Sequence, residues 1–262
     1  MDSSRRSFLK IAGVSAIGLS TAPVSSVLAA GGGGEANQPR MLANSESLTA
    51  RRWAMVVDTR KIHSNHDIEP IIEACHRIHN VPKLENKNHE IKWIWEEEFK
   101  HAFPTKGHEY LNEHIKHLPF PVLCNHCKNP PCVRACPTQA TFKRESDGVV
   151  LMDFHRCIGC RFCMAACPFG SRSFNFRDPV PFIAKVNKEY PTRCTGVVEK
   201  CNFCAERLAV GKLPACVEAS NGILSFGDVD DPDSNVRELL RTHYTIRRKE
   251  SLGTEPSIYY IV

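Results

Sequence analysis

The stretches C-N-H-C-K-N-P-P-C-V-R-A-C-P (124–137) and C-I-G-C-R-F-C-M-A-A-C-P (157–168) decide how the rest of the chain is read. Both begin C-x2-C and both end C-x3-C-P, so they read as one module written twice. The second is evenly spaced as C-x2-C-x2-C-x3-C-P. The first carries two extra residues, Asn129 and Pro130 or their neighbours, before its third cysteine. Between them, residues 140–144 and 149–153 are short strand candidates. They are joined across Glu145-Ser146-Asp147-Gly148, whose Asp-Gly pair is a hairpin turn signal.

That spacing suits a [4Fe–4S] cube. Three thiolates on one tight loop reach three irons. The fourth cysteine, followed by proline, is expected to start a short helical turn and to ligate the other cube of a two-cluster ferredoxin pattern. On that rule Cys124, Cys127, Cys132 and Cys167 hold one cluster, and Cys157, Cys160, Cys163 and Cys136 hold a second. Gly159 is expected to let the backbone approach the cluster, where N–H groups reach its sulfurs. Zinc also takes paired C-x2-C units, but it does not call for two four-cysteine runs each closed by C-x3-C-P. Disulfides suit an exported protein, yet cysteines three apart on one tight loop serve a metal cube better.

Composition narrows the function classes. With 262 residues, 42% of them hydrophobic, the chain can bury a core in one large domain or two small ones. Thirteen cysteines exceed any packing need. The formal net charge of +5 becomes +3 without residues 1–30, which carry Asp2, Arg5, Arg6 and Lys10. Each oxidised cube with four thiolates carries roughly −2. The basic side chains then partly balance buried cluster charge and raise the reduction potentials. No Arg/Lys stripe interleaved with stacking aromatics argues for a nucleic acid partner. Nothing marks a nucleophile, a catalytic acid–base pair or a nucleotide loop, so no catalytic residue is expected and the chemistry is that of an electron relay.

The remaining chain supplies a leader and two outlying cysteine groups. Ser4-Arg5-Arg6-Ser7-Phe8-Leu9-Lys10 matches a twin-arginine signal. A mildly apolar run to Leu28 follows, broken by Pro23, and Val27-Leu28-Ala29 suits cleavage. A retained membrane anchor is the other reading, but the run is short and weakly apolar. Residues 31–50 read as a flexible linker. Arg52–Asp58 looks like a strand. Ile91, Trp93 and Trp95 alternate as in another. Tyr110, Leu111, Ile115 and Leu118 are spaced for one helix face, either core over the clusters or a docking face. His114 and His117 are read as surface residues. Further on stand Cys201-Asn202-Phe203-Cys204, Cys216, and Ser220 where another C-x3-C would end. A strand is expected over 222–227, a helix N-capped by Asp233 or Ser234, and a strand or docking tail at 256–262.

From about Trp53 onward the chain resembles the four-motif polyferredoxin subunits of membrane-bound oxidoreductases, the iron–sulfur subunits of formate dehydrogenase, dimethyl sulfoxide reductase and polysulfide reductase. The D-T-R-K start, A-C-H-R-I-H-N-V-P, L-P-F-P-V-L-C-N-H-C and the L-G-T-E-P-S-I-Y-Y end bring it nearest to the exported DsrO-type iron–sulfur subunits of DsrMKJOP complexes. The resemblance implies an α+β fold, a duplicated bacterial-ferredoxin-like domain over 51–262 with short hairpins, short helices and long irregular loops. Its central module is expected at about 118–180. In that family the first motif pairs with the last. Here the first motif keeps only Cys75, with Ile62, His63 and neighbours in place of the others, and the last motif ends in Ser220. The losses are complementary, so Cys75 would complete a third cluster with Cys201, Cys204 and Cys216, and a fourth cluster is deleted. Cys194 is left over as a free structural thiol. The plainer alternative is a buried Cys75 beside a degraded or zinc-binding last motif.

The resemblance further implies three [4Fe–4S] clusters and a place on the periplasmic face of the cytoplasmic membrane, reached by twin-arginine export and without a transmembrane anchor in the mature chain. Expected partners are an NrfD-like quinone-reacting membrane subunit, a multihaem cytochrome c and other DsrMKJOP-type subunits, in electron transport linked to sulfite or sulfate reduction. The alternatives are the electron-transfer subunit of a molybdopterin oxidoreductase and a non-redox zinc scaffold.

Overall fold

A computed structural model of the chain describes residues 44–262. The expected signal peptide (1–30) and most of the expected linker (31–50) lie outside the described residues. In chain order the helices and strands are β1 (Trp53–Asp58), α1 (Asn65–Ile78), β2 (Ile94–Glu98), α2 (Phe99–Ala102), α3 (Glu113–His117), β3 (Pro119–Leu123), α4 (Pro131–Arg134), β4 (Thr141–Lys143), β5 (Val150–Met152), α5 (Phe162–Ala165), β6 (Ser173–Phe174), β7 (Val198–Glu199), α6 (Ala205–Leu208), α7 (Ala215–Glu218), β8 (Leu224–Asp228), α8 (Asn235–Thr242), β9 (Thr245–Ile246) and β10 (Ile258–Ile261). Short helices and small sheets alternate throughout, an α+β fold. The last part of the expected linker is held against the body, where Leu48 N–H donates to Leu208 O at 2.9 Å.

The Trp-Ala-Met-Val-Val-Asp run forms a fully buried strand, with all six β1 residues covered. Sheet order is β8-β1-β10-β9, with β1 antiparallel to β8 and parallel to β10. Side chains leave a strand on alternate faces. Trp53, Met55 and Val57 therefore enter the large core, while Ala54 and Val56 pack with Val229, Val236 and Ile261 on the α8 side. The ends of the domain close on each other through this sheet, and all thirteen cysteines lie in the chain looped out between β1 and β8.

Smaller pieces carry those loops. The 140–153 hairpin forms as β4 and β5, with Thr141 opposite Met152. Gly148 takes φ +75 at its turn, a conformation that costs glycine little. β2 pairs with β3, Ile94 opposite Leu123, and delivers the chain to Cys124. The strand read from Ile91, Trp93 and Trp95 begins only at Ile94. Trp93 is instead turned inward to donate from Nε1 to Glu199 at 2.9 Å.

Two expectations need correcting. The face drawn through Tyr110, Leu111, Ile115 and Leu118 is not one helix. Asn112 accepts from His114 N–H at 2.8 Å and caps α3 there, so Tyr110 and Leu111 fall outside it, and Tyr110 is 84% exposed. His114 and His117 are exposed. The helix α1, which brings Cys75 to the core, was not anticipated. Its start is marked by Asp67, whose carboxylate accepts from Ser64 N–H at 2.9 Å, and Pro70 is accommodated inside the helix. At the other end of the chain, Ser234 caps α8 by accepting from Arg237 N–H at 3.1 Å.

Candidate functional site

The same local device recurs three times. The third cysteine of each group is the second residue of a four-residue helix: Cys132 in α4, Cys163 in α5 and Cys216 in α7. Proline at the first position of α4 suits its fixed φ. Two residues after each helix the chain turns, with the N–H groups of Cys136, Cys167 and Ser220 donating to Val133 O, Met164 O and Val217 O at 3.2, 3.1 and 3.1 Å. The fourth position therefore ends a helical turn rather than starting one. That turn carries the fourth side chain away from its own loop.

Cys124, Cys127, Cys132 and Cys167 line one cavity together with Asn125, Val150 and Arg172. Burial first, then the neighbouring Cys124, pushes the Cys127 thiol up to about 12. Cys167 is raised by burial and by Cys124. Both polar ends of the buried Asn125 amide lack a partner. A group carrying sulfur acceptors and negative charge fits this lining of four thiols, a free amide and a guanidinium.

Cys136, Cys157, Cys160 and Cys163 line a second cavity with Thr138, Met152, Ile158 and Arg161. Burial would raise Cys136, but hydrogen bonds from Thr141, Thr138 and Ala140 outweigh it and hold the thiol below its ordinary value. This is the shallow end of the array. Cys160 is exposed, and Ile158 and Phe162 are 67% and 61% exposed. Gly159 was expected to make room for a cluster. Its φ of +70 and a Cβ that would lie 2.4 Å from Gly196 O show that the neighbouring backbone requires it.

Cys75, Cys201, Cys204 and Cys216 are all buried. Cys75, Cys201 and Cys216 share one buried cluster and Cys204 packs with Ala74 and Ala215 beside it, and Cys75 is pushed well above the ordinary thiol value by burial and then by the charges of Cys216, Cys201 and Cys204. Cys216 rises to about 12 through burial. Cys201 is raised by burial and then by Cys124, so the third set adjoins the first. Cys163 feels Cys132, so the first adjoins the second. The three sets form a row with the 124–167 set in the middle.

Ser220 stands in the fourth-cysteine place of the last group, but its hydroxyl is occupied. It donates to Val217 O at 2.7 Å and accepts from Leu224 N–H at 3.1 Å. Ile62, where the first motif lacks a cysteine, is buried in the core with Ile68, Ile71 and Ile223. Cys194, expected as a structural thiol, is exposed and fills no core space.

Several residues around the thiols were not singled out from the sequence. His126 and Phe203 occupy the same place in C-N-H-C and C-N-F-C, both with positive φ. Their rings stack at 3.7 Å between the first and third sets. Non-glycine residues hold such a backbone only where the surroundings demand it, and here it lets Phe203 N–H donate to Cys201 Sγ at 3.4 Å. Burial, then Lys200 and Arg172, pushes His126 well below the usual imidazole value and keeps it neutral. His79 Nε2 meets the Glu206 carboxylate at 2.8 Å beside Cys204. The equivalence of His126 and Phe203 was visible as Asn-His and Asn-Phe inside two C-x2-C loops. The buried cations carried no such signal.

Comparison with known proteins places these features in context. The family model for the 4Fe-4S dicluster domain matches residues 115–180. The chain is 38% identical to the "Hdr-like menaquinol oxidoreductase iron-sulfur subunit 1" of Archaeoglobus fulgidus, over 98% of this chain and 97% of that one. It is 33% identical to a subunit of the tetrathionate reductase of Salmonella typhimurium over 100% of this chain and 89% of the other. It is 34% identical to the "Menaquinone reductase, iron-sulfur cluster-binding subunit" of Nitratidesulfovibrio vulgaris over 80% and 88%.

Proposed function

The chain belongs to the polyferredoxin-type iron–sulfur subunits of oxidoreductase complexes, which transfer electrons and are not catalytic on their own, and from that premise we propose that it carries three [4Fe–4S] clusters in a DsrMKJOP-type complex. Cys124, Cys127, Cys132 and Cys167 hold the first, Cys136, Cys157, Cys160 and Cys163 the second, and Cys75, Cys201, Cys204 and Cys216 the third. The observation that carries this is the row of three four-thiol sets, adjoining through Cys201 and Cys124 and through Cys132 and Cys163. When bound, each cluster supplies a one-electron redox centre. The protein's own part is to hold the twelve sulfurs, orient backbone N–H groups toward them, and exclude water from the middle and third sets. The repeated helix and turn at Cys132, Cys163 and Cys216 support a duplicated ferredoxin-like module.

The names of the Archaeoglobus and Nitratidesulfovibrio relatives carry menaquinol and menaquinone. They support exchange of electrons with the quinone pool, and the DsrMKJOP reading adds a multihaem cytochrome c, an NrfD-like quinone-reacting membrane subunit and a link to sulfite or sulfate reduction. The Ser4–Lys10 motif supports twin-arginine export of residues 51–262 to the outer face of the membrane, with 1–30 removed and 31–50 as a linker. No helix of the described residues is long and apolar enough to cross a membrane, which fits attachment through partners. The exposed Ile158, Cys160 and Phe162 make the second set the end that a partner can approach. The Salmonella relative is named as a tetrathionate reductase subunit, and a second reading is the electron-transfer subunit of a molybdopterin oxidoreductase. Co-purification of a molybdopterin subunit would select it.

Iron and acid-labile sulfide per chain test the proposal. Anaerobically matured protein is expected to hold about 12 of each, and Cys75→Ala about 8 of each. About 8 in the wild type would remove the third cluster. A colourless preparation with zinc and no sulfide would overturn the redox reading altogether.

A further inference from the structure

Two of the most deeply buried cations have no carboxylate partner. Arg172, buried, donates from Nη2 to Thr141 Oγ1 at 2.8 Å, and its guanidinium also meets the thiols of Cys132 and Cys163. Lys200, buried, donates only to carbonyl oxygens, those of Val150 and Cys201. Among the described residues neither makes an ion pair, whereas the buried Arg193 pairs with Glu199 at 2.6 Å. A desolvated charge without a counter-ion is strongly unfavourable, so these two cations call for an anion that is not a carboxylate.

Their positions say which anion. Arg172 touches one cysteine of the middle set and one of the second set, and it lines the middle cavity. Lys200 adjoins Cys201 of the third set. Through Val150, it also adjoins the lining of the middle cavity. The middle set therefore has a buried cation on each side, and each terminal set has one. A third buried cation, Arg248, lies over Phe169, which also lines the middle cavity. The terminal sets are further offset. Glu206 brings negative charge to Cys75 and Cys204, and the half-buried Arg207 near Cys216 is paired with Glu218 at 2.6 Å. At the second set the nearby Arg161 is exposed, where water screens its charge.

We propose that Arg172 and Lys200 make the middle site, Cys124, Cys127, Cys132 and Cys167, the highest in reduction potential of the three. An electron entering from either end of the row comes to rest there. Fixed positive charge favours the more negative, reduced state, and it acts most strongly where both cations are close and water is absent. The inference rests on the three-cluster reading above and adds an order of potentials to it.

The test is an anaerobic redox titration of the full holoprotein, followed by electron paramagnetic resonance, with iron and sulfide counted in each sample. In Lys200→Met and in Arg172→Met the highest wild-type midpoint falls by at least a tenfold change in the one-electron equilibrium constant, about 59 mV. Arg172→Met also lowers a second midpoint, and Lys200→Met lowers the remaining one. Only the highest responds to both. Arg172→Lys, which keeps the charge, restores the wild-type value. If Arg172→Met loses iron, Arg172→Gln keeps an amide donor, removes the charge and carries the same expectation. The proposal is overturned if the highest midpoint stays in place in Lys200→Met while about 12 irons are retained. It is equally overturned if the two variants shift no midpoint in common. Fewer than three titrating centres in the wild type would instead strike the three-cluster reading.

Discussion

Glu199→Gln should lower the stability of the protein by about 3–5 kcal/mol, the usual cost of stranding one partner of a buried ion pair. Glu199 lies on β7 with its side chain fully buried, as is that of Arg193, 2.6 Å away. The carboxylate also accepts from Trp93 Nε1 at 2.9 Å and from Asn175 Nδ2. Arg193 in turn donates to the carbonyls of His79 and Asn80 just beyond α1. The pair thus ties the end of the helix bearing Cys75 to the strand that runs into Cys201. Glutamine keeps one acceptor oxygen, enough for either Trp93 or Asn175, which bond different carboxylate oxygens, and leaves the guanidinium unpaired in a dry site. With a urea slope of about 2 kcal/mol per molar, the midpoint should fall by about 1.5–2.5 M. The assay is anaerobic urea denaturation followed by far-ultraviolet circular dichroism. Because tightly bound cofactors break two-state behaviour, midpoints are compared rather than extrapolated energies. The double variant Arg193→Met/Glu199→Gln should recover at least half of the loss. A shift below about 0.5 M in the single variant, or a further fall in the double variant, would refute the claim that this pair is desolvated and joins the two segments.

Two further outcomes follow from the same geometry. In metal-free protein, Cys127 and Cys216 stay protonated to about 12 while an unfolded thiol ionises near 8.5. The unfolded chain binds fewer protons above that value, so the stability of the metal-free protein is lost as pH rises, about 2 kcal/mol per thiol by pH 10. The cluster-loaded protein, whose sulfurs are already deprotonated, lacks this loss; paired denaturation curves at pH 8 and pH 10 check the difference. Ser220→Cys should leave iron and sulfide at their wild-type level, because no cysteine stands at the other first-motif positions, where Ile62 is packed in the core and His63 is exposed. It should cost about 1 kcal/mol through the lost bonds to Val217 and Leu224.

The sequence was most legible where chemistry forces residue type and spacing together. C-x2-C loops closed by C-x3-C-P admit few uses, and the structure does bring Cys124, Cys127, Cys132 and Cys167 to one cavity and Cys136, Cys157, Cys160 and Cys163 to another. The grouping of Cys75 with residues more than a hundred positions away was readable only through complementary losses, Cys75 alone at one end and Ser220 at the other. The fold supplies the mechanical reason. β1 pairs with β8, so the helix that leaves β1 packs against the one that enters β8, α1 on α7, and Cys75 meets Cys216. α1 is hard to read in the sequence because Pro70 sits inside it, and the false helix face at 110–118 was read because its apolar residues happened to keep the period while Asn112 cut it.

What stayed illegible is the part that tunes rather than binds. Arg172 and Lys200 are two among 34 basic residues, and nothing in Ser-Arg-Ser or Glu-Lys-Cys marks them. Their meaning arises only from burial without a carboxylate, which depends on four segments meeting: the 124–132 loop, β5, the chain after Cys167 and the chain before Cys201. Cysteine spacing is a local property and survives in a one-dimensional reading. A counter-ion is a property of the packed interior, where every charge must be balanced by something close. The same distinction separates the losses expected on mutation. Replacing Cys75 removes a whole site and changes a count of iron, whereas replacing Lys200 leaves the count unchanged and moves an energy level.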